Sequence, residues 1–268
     1  MRRDVCKGKT IAWLCAVALL LSFSATAGTV DVGVRIIGGE PVPEGRYPFL
    51  VSLQQEGQHW CTATLIGPDQ VLTARHCTHP STIPRLTAVI GRAQLSAPGG
   101  EERRIVDAHN HPDLLDVSVL TLDAPVYTIE PVALAASGVD PAGTDGIATG
   151  WGSTDNDGTK PDWLQRVSVP ILSKQECAVI HDDWFVPEGE VCAGSPGAGA
   201  CYGDSGGPLL QDVEGTLVQV GVVSRGRDAI CAQDPGGQVF TDTASELFRT
   251  WLGVAGSGEA FVGRLGGH

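Results

Sequence analysis

Past residue 35 the chain is broken into short apolar runs by frequent turn signals, and this patterning limits the fold more than any other feature. Residues 49–53, 60–65 and 70–73 read as strands, the last two parted by the turn Gly67-Pro68-Asp69. Residues 86–90 and 105–106 continue the pattern, and residues 117–122 alternate with period two. A polar, small-residue stretch over 135–146 reads as a linker. A second set of runs starts near Ile147, with strands over 164–171, 206–210, 217–224 and 238–241. Thirty-five glycines and few aromatics fit many short strands better than long helices. From Thr243 the period changes. Leu247, Phe248, Trp251 and Leu252 recur at helical spacing, with Asp242 or Thr243 available as the cap, so a short terminal helix over about 243–252 is expected, its stripe belonging to the core. Residues 253–268 read as a glycine-rich mobile tail.

The first 27 residues read as a secretory signal. Arg2, Arg3, Lys7 and Lys9 precede an apolar run over 11–23, too short to span a bilayer comfortably, and Ala25-Thr26-Ala27 offers a cleavage site. Cys6 and Cys15 would leave with it. Six cysteines remain (Cys61, Cys77, Cys177, Cys192, Cys201 and Cys231), an even number that in an exported chain reads as three disulfides, with 15 connectivities open to spacing alone. Zinc is the competing use, but no CxxC pair or HxxxH spacing supports it. The net charge is −13, and residues 1–35 hold five basic and two acidic side chains, so the remainder is more acidic still. That balance argues against nucleic acid as a partner.

Three short motifs carry chemistry. Gly203-Asp204-Ser205-Gly206-Gly207-Pro208 places a serine on a glycine-rich turn, where a hydroxyl and backbone N–H groups can be presented together. Thr73-Ala74-Arg75-His76-Cys77 lies upstream, and Asp116-Val117-Ser118-Val119-Leu120 lies between the two. Ile36-Ile37-Gly38-Gly39 follows a lone Arg35, and Gly150-Trp151-Gly152 adds a fifth stretch. Together, over about residues 36–252, these resemble the chymotrypsin/trypsin family of serine proteases, whose triad runs in the order His, Asp, Ser.

That resemblance implies an all-β fold: two antiparallel six-stranded β-barrels packed together, at about 36–140 and 145–242, with the active site between them. It implies the pairs Cys61–Cys77, Cys177–Cys192 and Cys201–Cys231. It assigns His76 as base, Asp116 as the carboxylate that orients it, Ser205 as nucleophile, and the N–H groups of Gly203 and Ser205 as oxyanion donors. Asp113 is a rival to Asp116, which is preferred because the strand starts directly after it. Ser224 matches the family serine that binds the aspartate, although a plain strand-end serine reads as well. Residues 28–35 resemble a propeptide removed by another protease after Arg35, so that the new Ile36 ammonium pairs with Asp204. Pairing would raise the amine's pKa, and activity would fall in the alkaline range as that amine loses its proton.

Departures from the family concern specificity. Gly199 stands where trypsins carry an aspartate, so no preference for Lys or Arg is expected. Ala200, Tyr202, Ser224, Arg225, Gly226 and Gln238 complete the expected substrate pocket. Gln238 either narrows the slot or hydrogen-bonds a polar side chain. Arg75 and Arg225 stand where alanine and tryptophan are usual. Each is either turned to solvent or an acid, or it faces the cleft, where Arg75 would lower the His76 pKa and Arg225 would favour acidic substrates. Glu101 and Glu102 read as solvated charges rather than ligands, because the loop 97–104 looks shorter than the calcium-binding loop of the family it resembles. The expected protein is a secreted serine endopeptidase acting on proteins or peptides, with protein inhibitors among its partners, no cofactor, no metal and no membrane. An inactive binding protein on the same scaffold and an esterase are the alternatives.

Overall fold

A computed structural model describes residues 36–253 apart from 113, 228 and 229. The expected signal segment, the expected propeptide with Arg35, the expected tail beyond Gly253 and the rival Asp113 therefore lie outside the described residues.

The first half holds β1 (Glu40–Pro41), β2 (Leu50–Gln55), β3 (Gln58–Gly67), β4 (Gln70–Thr73), β5 (Leu86–Ile90), β6 (Glu101–Asn110) and β7 (Ser118–Leu122). Strands β2 to β7 close into a barrel in the order β2-β3-β4-β7-β6-β5, every neighbour antiparallel. Its centre is filled by Val51, Leu53, Ala63, Leu65, Leu72, Ile90 and Leu120, all fully or nearly fully buried.

The second half holds β8 (Ala133–Leu134), β9 (Asp145–Gly150), β10 (Gln165–Pro170), β11 (Glu190–Ala193), β12 (Pro208–Val213), β13 (Thr216–Gly226) and β14 (Gln238–Asp242). These form one sheet in the order β10-β9-β12-β13-β14-β11, extended by β1 on β10 and by β8 on β13. The path of six returns on itself through a single bridge, Ile171 to Ala193, supported by Gly194 N donating to Pro170 O at 3.1 Å. The expected second barrel is thus a six-strand ring closed at one bridge, with two short strands added. Val167, Val169, Val191, Leu209, Val220, Val223 and Phe240 fill it.

Strands β1, β8, β9 and β11 were not expected. β1 and β8 are two residues long, too short for a period, and β9 begins inside the stretch read as linker. The helix α1 (Lys174–His181) was also missed, although Ser173 and Glu176 form a capping box before it. The terminal helix α2 (Glu246–Leu252) is present, but its cap is Ser245, not Asp242 or Thr243. Ser245 Oγ accepts from Phe248 N at 3.2 Å, while Asp242 is occupied by Ala244 N and Lys174 Nζ. All three disulfides join the expected partners.

Polar contacts lock the two barrels to each other. Thr64 Oγ1 on β3 donates to Gln219 Oε1 on β13 at 2.8 Å, both side chains fully buried. Trp151 Nε1 donates to Ala93 O at 2.9 Å. Replacing Thr64 by valine keeps the shape and leaves a buried carbonyl without a donor, which costs about 1–3 kcal/mol. Chemical denaturation should show that loss for Thr64→Val and a clearly smaller one for Thr64→Ser. Equal losses would contradict this account of the barrel interface.

Candidate active site

His76 sits in a 3-10 turn, Arg75–Cys77, directly after β4, and Cys77 ties that turn to Cys61 on β3. Asp116 stands two residues before β7, the neighbour of β4, so adjacent strands deliver the two side chains to one end of the barrel. His76 Nδ1 lies 2.7 Å from Asp116 Oδ2, and His76 N donates to Asp116 Oδ1 at 3.0 Å. The carboxylate can only accept, so Nδ1 carries the proton and a neutral imidazole leaves Nε2 free of one. Ser224 Oγ donates to Asp116 Oδ2 at 2.8 Å. It reaches there because the β13–β14 register slips between Val223 and Arg225, which sets Ser224 apart from the ladder. Burial alone would raise the Asp116 carboxyl. The hydrogen bonds and charge of His76 and the bond from Ser224 outweigh it and hold the group below the usual carboxylate value.

Ser205 comes from the other barrel, on the turn leading into β12. Gly203 and Gly206 have φ of 103° and 80°, left-handed values that favour glycine, and a Cβ on Gly206 would fall 2.0 Å from Thr73 Oγ1. Three amides of the turn are engaged: Asp204 N with Cys201 O, Gly206 N with Val223 O, and Gly207 N with Asp204 O. Those of Gly203 and Ser205 donate to no group among the described residues. His76 and Ser205 line one cavity of about 270 Å³. Asp204 itself is buried, accepting from Gly152 N and Cys201 N at 2.8 Å each. Burial raises its pKa to about 6, against the lowering effect of those amides and of Lys160. Ile36 is fully buried in the second core, and Ile37 O accepts from Gly199 N at 3.1 Å.

Sequence reasoning missed the group that holds this turn from barrel one. His59 Nε2 lies 3.0 Å from Gly203 O, and its Nδ1 lies 2.8 Å from Ser52 Oγ. The carbonyl only accepts, so Nε2 carries the proton and the serine donates to Nδ1. Burial lowers the His59 pKa to about 4, which keeps the ring neutral. Thr62 adds two more ties, Oγ1 to Gly203 O and N to Ser205 O, both at 3.0 Å. A lone histidine near a strand start gives no sequence signal of such a task.

Most of the expected pocket residues line the cavity: Ala200, Tyr202, Ser224, Arg225, Gly226 and Gln238. Gly199 does not, because the Gln238 amide lies on it. A Cβ at 199 would fall 2.1 Å from Gln238 Oε1. Of the two arginines, Arg225 is paired with an acid, while Arg75 meets backbone carbonyls beside His76. Arg75 Nη1 donates to His111 O and Pro112 O at 3.2 Å each. Arg225 forms a two-point pair with Glu190, at 2.6 and 2.9 Å, and also donates to Trp184 O. Glu101 and Glu102 are not loose either, lying in β6 beside Arg103 and Arg92. The His/Cys group Cys61, His76 and Cys77 offers no thiolate for a metal, since both sulfurs are in the disulfide. No helix among the described residues is long and apolar enough to cross a membrane.

Known proteins resemble this chain over nearly all of its described length. The family model described as Trypsin matches residues 36–252. A protein named trypsin from Saccharopolyspora erythraea is 38% identical over 214 residues, 75% of this chain and 91% of that protein. Trypsin iota from Drosophila melanogaster is 32% identical over 250 residues, 89% of this chain and 95% of that one. The suppressor of tumorigenicity 14 protein homolog of Bos taurus is 34% identical over 241 residues, which is 81% of this chain but 28% of that longer protein.

Glu190 is 1% exposed, so its pair with Arg225 can be tested directly. Arg225→Met should cost about 2 kcal/mol or more by leaving a buried carboxylate uncompensated. Adding Glu190→Gln should restore much of it in a double-mutant cycle by denaturation. Additive losses would mean the two groups are not coupled.

Proposed function

This chain belongs to the trypsin family, and on that footing we propose that it is a secreted serine endopeptidase, made as a zymogen and acting through Ser205, His76 and Asp116 on proteins or peptides. The observation that carries the proposal is the 2.7 Å contact of His76 Nδ1 with Asp116, with His76 and Ser205 on one cavity.

His76 Nε2 takes the Ser205 proton as Oγ bonds to the scissile carbonyl carbon. The carbonyl π electrons move to its oxygen, and the N–H groups of Gly203 and Ser205 receive that oxyanion. The C–N bond then breaks, and the imidazolium gives its proton to the departing amine. Water, deprotonated by the same ring, attacks the acyl-enzyme and releases the acid and Ser205. Asp116 holds the tautomer and offsets the charge on the ring without taking the proton. Protein starting at Ile36 should digest casein, and Ser205→Ala should lower turnover on the order of 10⁶-fold. Ester hydrolysis without casein digestion would favour an esterase, and neither activity would favour a binding protein.

Activation follows from Asp204. While residue 36 is part of an uncut chain its nitrogen is an amide, and among the described residues the buried carboxylate has two amide donors and the more distant charge of Lys160 but no ion pair. Cleavage after Arg35 by another protease supplies an ammonium. In the uncut chain the raised Asp204 keeps a proton that the unfolded chain has released, between about pH 4 and the folded value of about 6. Stability therefore falls as pH rises through that window, by about 3 kcal/mol at most. An ammonium removes this penalty. Melting curves should show the cut chain gaining over the uncut chain as pH rises from 4 to 7, with the gain absent in Asp204→Asn. Parallel curves would contradict the pairing. In the cut enzyme the amine's own pKa is raised, so its contribution is complete below the ordinary amine value and is lost, with activity, as pH rises through the raised one.

A further inference from the structure

The cavity that holds Ser205 and His76 ends on an amide. Gln238 opens β14, faces Ala193 and Gly226 across the ladders, and is 5% exposed. Its Oε1 is buried without a hydrogen-bond partner, and the side chain lines the cavity. Two glycines make this placement possible. A Cβ at Gly194 would fall 2.7 Å from Oε1, and one at Gly199 still closer. The walls beside it, Ala200, Val223 and Gly237, carry no side-chain charge or donor. Among the described lining residues the acid is Asp234, and it lies 3.9 Å from Arg227, so the cavity offers no unopposed negative charge.

We propose that Gln238 makes this pocket selective for a carboxamide, so that peptides are cut preferentially after glutamine, with asparagine, one methylene shorter, next. The inference rests on the reading of Ser205 as nucleophile and adds the substrate class. A buried acceptor with no donor is an energetic deficit, and a ligand that brings a donor removes it. With the Gln238 amide turned toward the cavity about its last side-chain bond, a carboxamide fits it, offering N–H to Oε1 and C=O to Nε2. A carboxylate brings no donor for Oε1. An ammonium or guanidinium brings no acceptor for Nε2 and meets no free countercharge. Methionine matches glutamine in length and leaves Oε1 as it was. Selection through a buried hydrogen bond is steeper than selection by size, because the wrong ligand leaves the protein's own polar atom unpaired.

The test uses protein beginning at Ile36 and peptides that differ only before the scissile bond, carrying Gln, Asn, Met, Leu, Glu or Lys. Glutamine should exceed methionine in kcat/KM by about tenfold or more. Gln238→Met should abolish that ratio. Gln238→Glu keeps the shape, adds a charge, and should move the preference from glutamine to lysine, a gain that misfolding cannot imitate. A ratio near one in the wild type, or a ratio unchanged in Gln238→Met, overturns the inference. A fluorophosphonate separates the two levels of the argument. Labelling of wild-type Ser205 with no glutamine preference overturns the inference alone, and absence of labelling overturns the catalytic reading with it.

Discussion

A carboxylate shut inside the protein shapes everything around the serine turn. Asp204 is almost wholly buried, and glycines 150 and 152 leave the room it occupies, since a Cβ on either would fall 2.3 Å from its carboxylate. Its oxygens take the amides of Gly152 and Cys201. With the side chain fixed there, the chain turns around Asp204, and among the described residues the amides of Gly203 and Ser205 donate to no group. A buried charge is costly unless compensated, so the same residue that builds the turn also makes it sensitive to what stands nearby.

Barrel one completes the arrangement from the other side. Its strands β4 and β7 bring His76 and Asp116 together, and β3 holds the serine turn through His59 and Thr62. The cavity therefore takes His76, with Asp116 behind it, from one barrel and Ser205 from the other. Polar contacts such as Thr64 with Gln219 tie the two barrels together. An interior contact of this kind fixes register more sharply than apolar packing, which tolerates small slides.

What could be read in the sequence follows the range of each interaction. Strands β4 and β5 were legible to the residue, because period and turns are local signals. The proposed triad rests on three motifs that occur in one order. The disulfide pairs came with the family resemblance, since spacing left 15 possibilities. Ser245 was overlooked as a cap because Asp242 and Thr243 are equally good by type, and only the fold shows that Lys174 and Ala244 already occupy Asp242. Arg225 was the clearest ambiguity. Its partner Glu190 lies 35 residues away on another strand, and no local pattern joins them. Gln238 came to the pocket with the family resemblance, but that its amide would cover Gly199 depends on side-chain geometry that a sequence does not carry.

The central claim is that Ser205 becomes an acyl carrier once a free ammonium at Ile36 meets Asp204. The most direct measurement is pre-steady-state hydrolysis of a chromogenic active ester by the cut and uncut chains at equal concentration. The account predicts a burst of one equivalent from the cut chain, with the acyl group found on Ser205 by mass spectrometry, and a much slower or absent burst from the uncut chain. A full burst from both would contradict the role given to Asp204, and an acyl group on another residue would contradict the role given to Ser205.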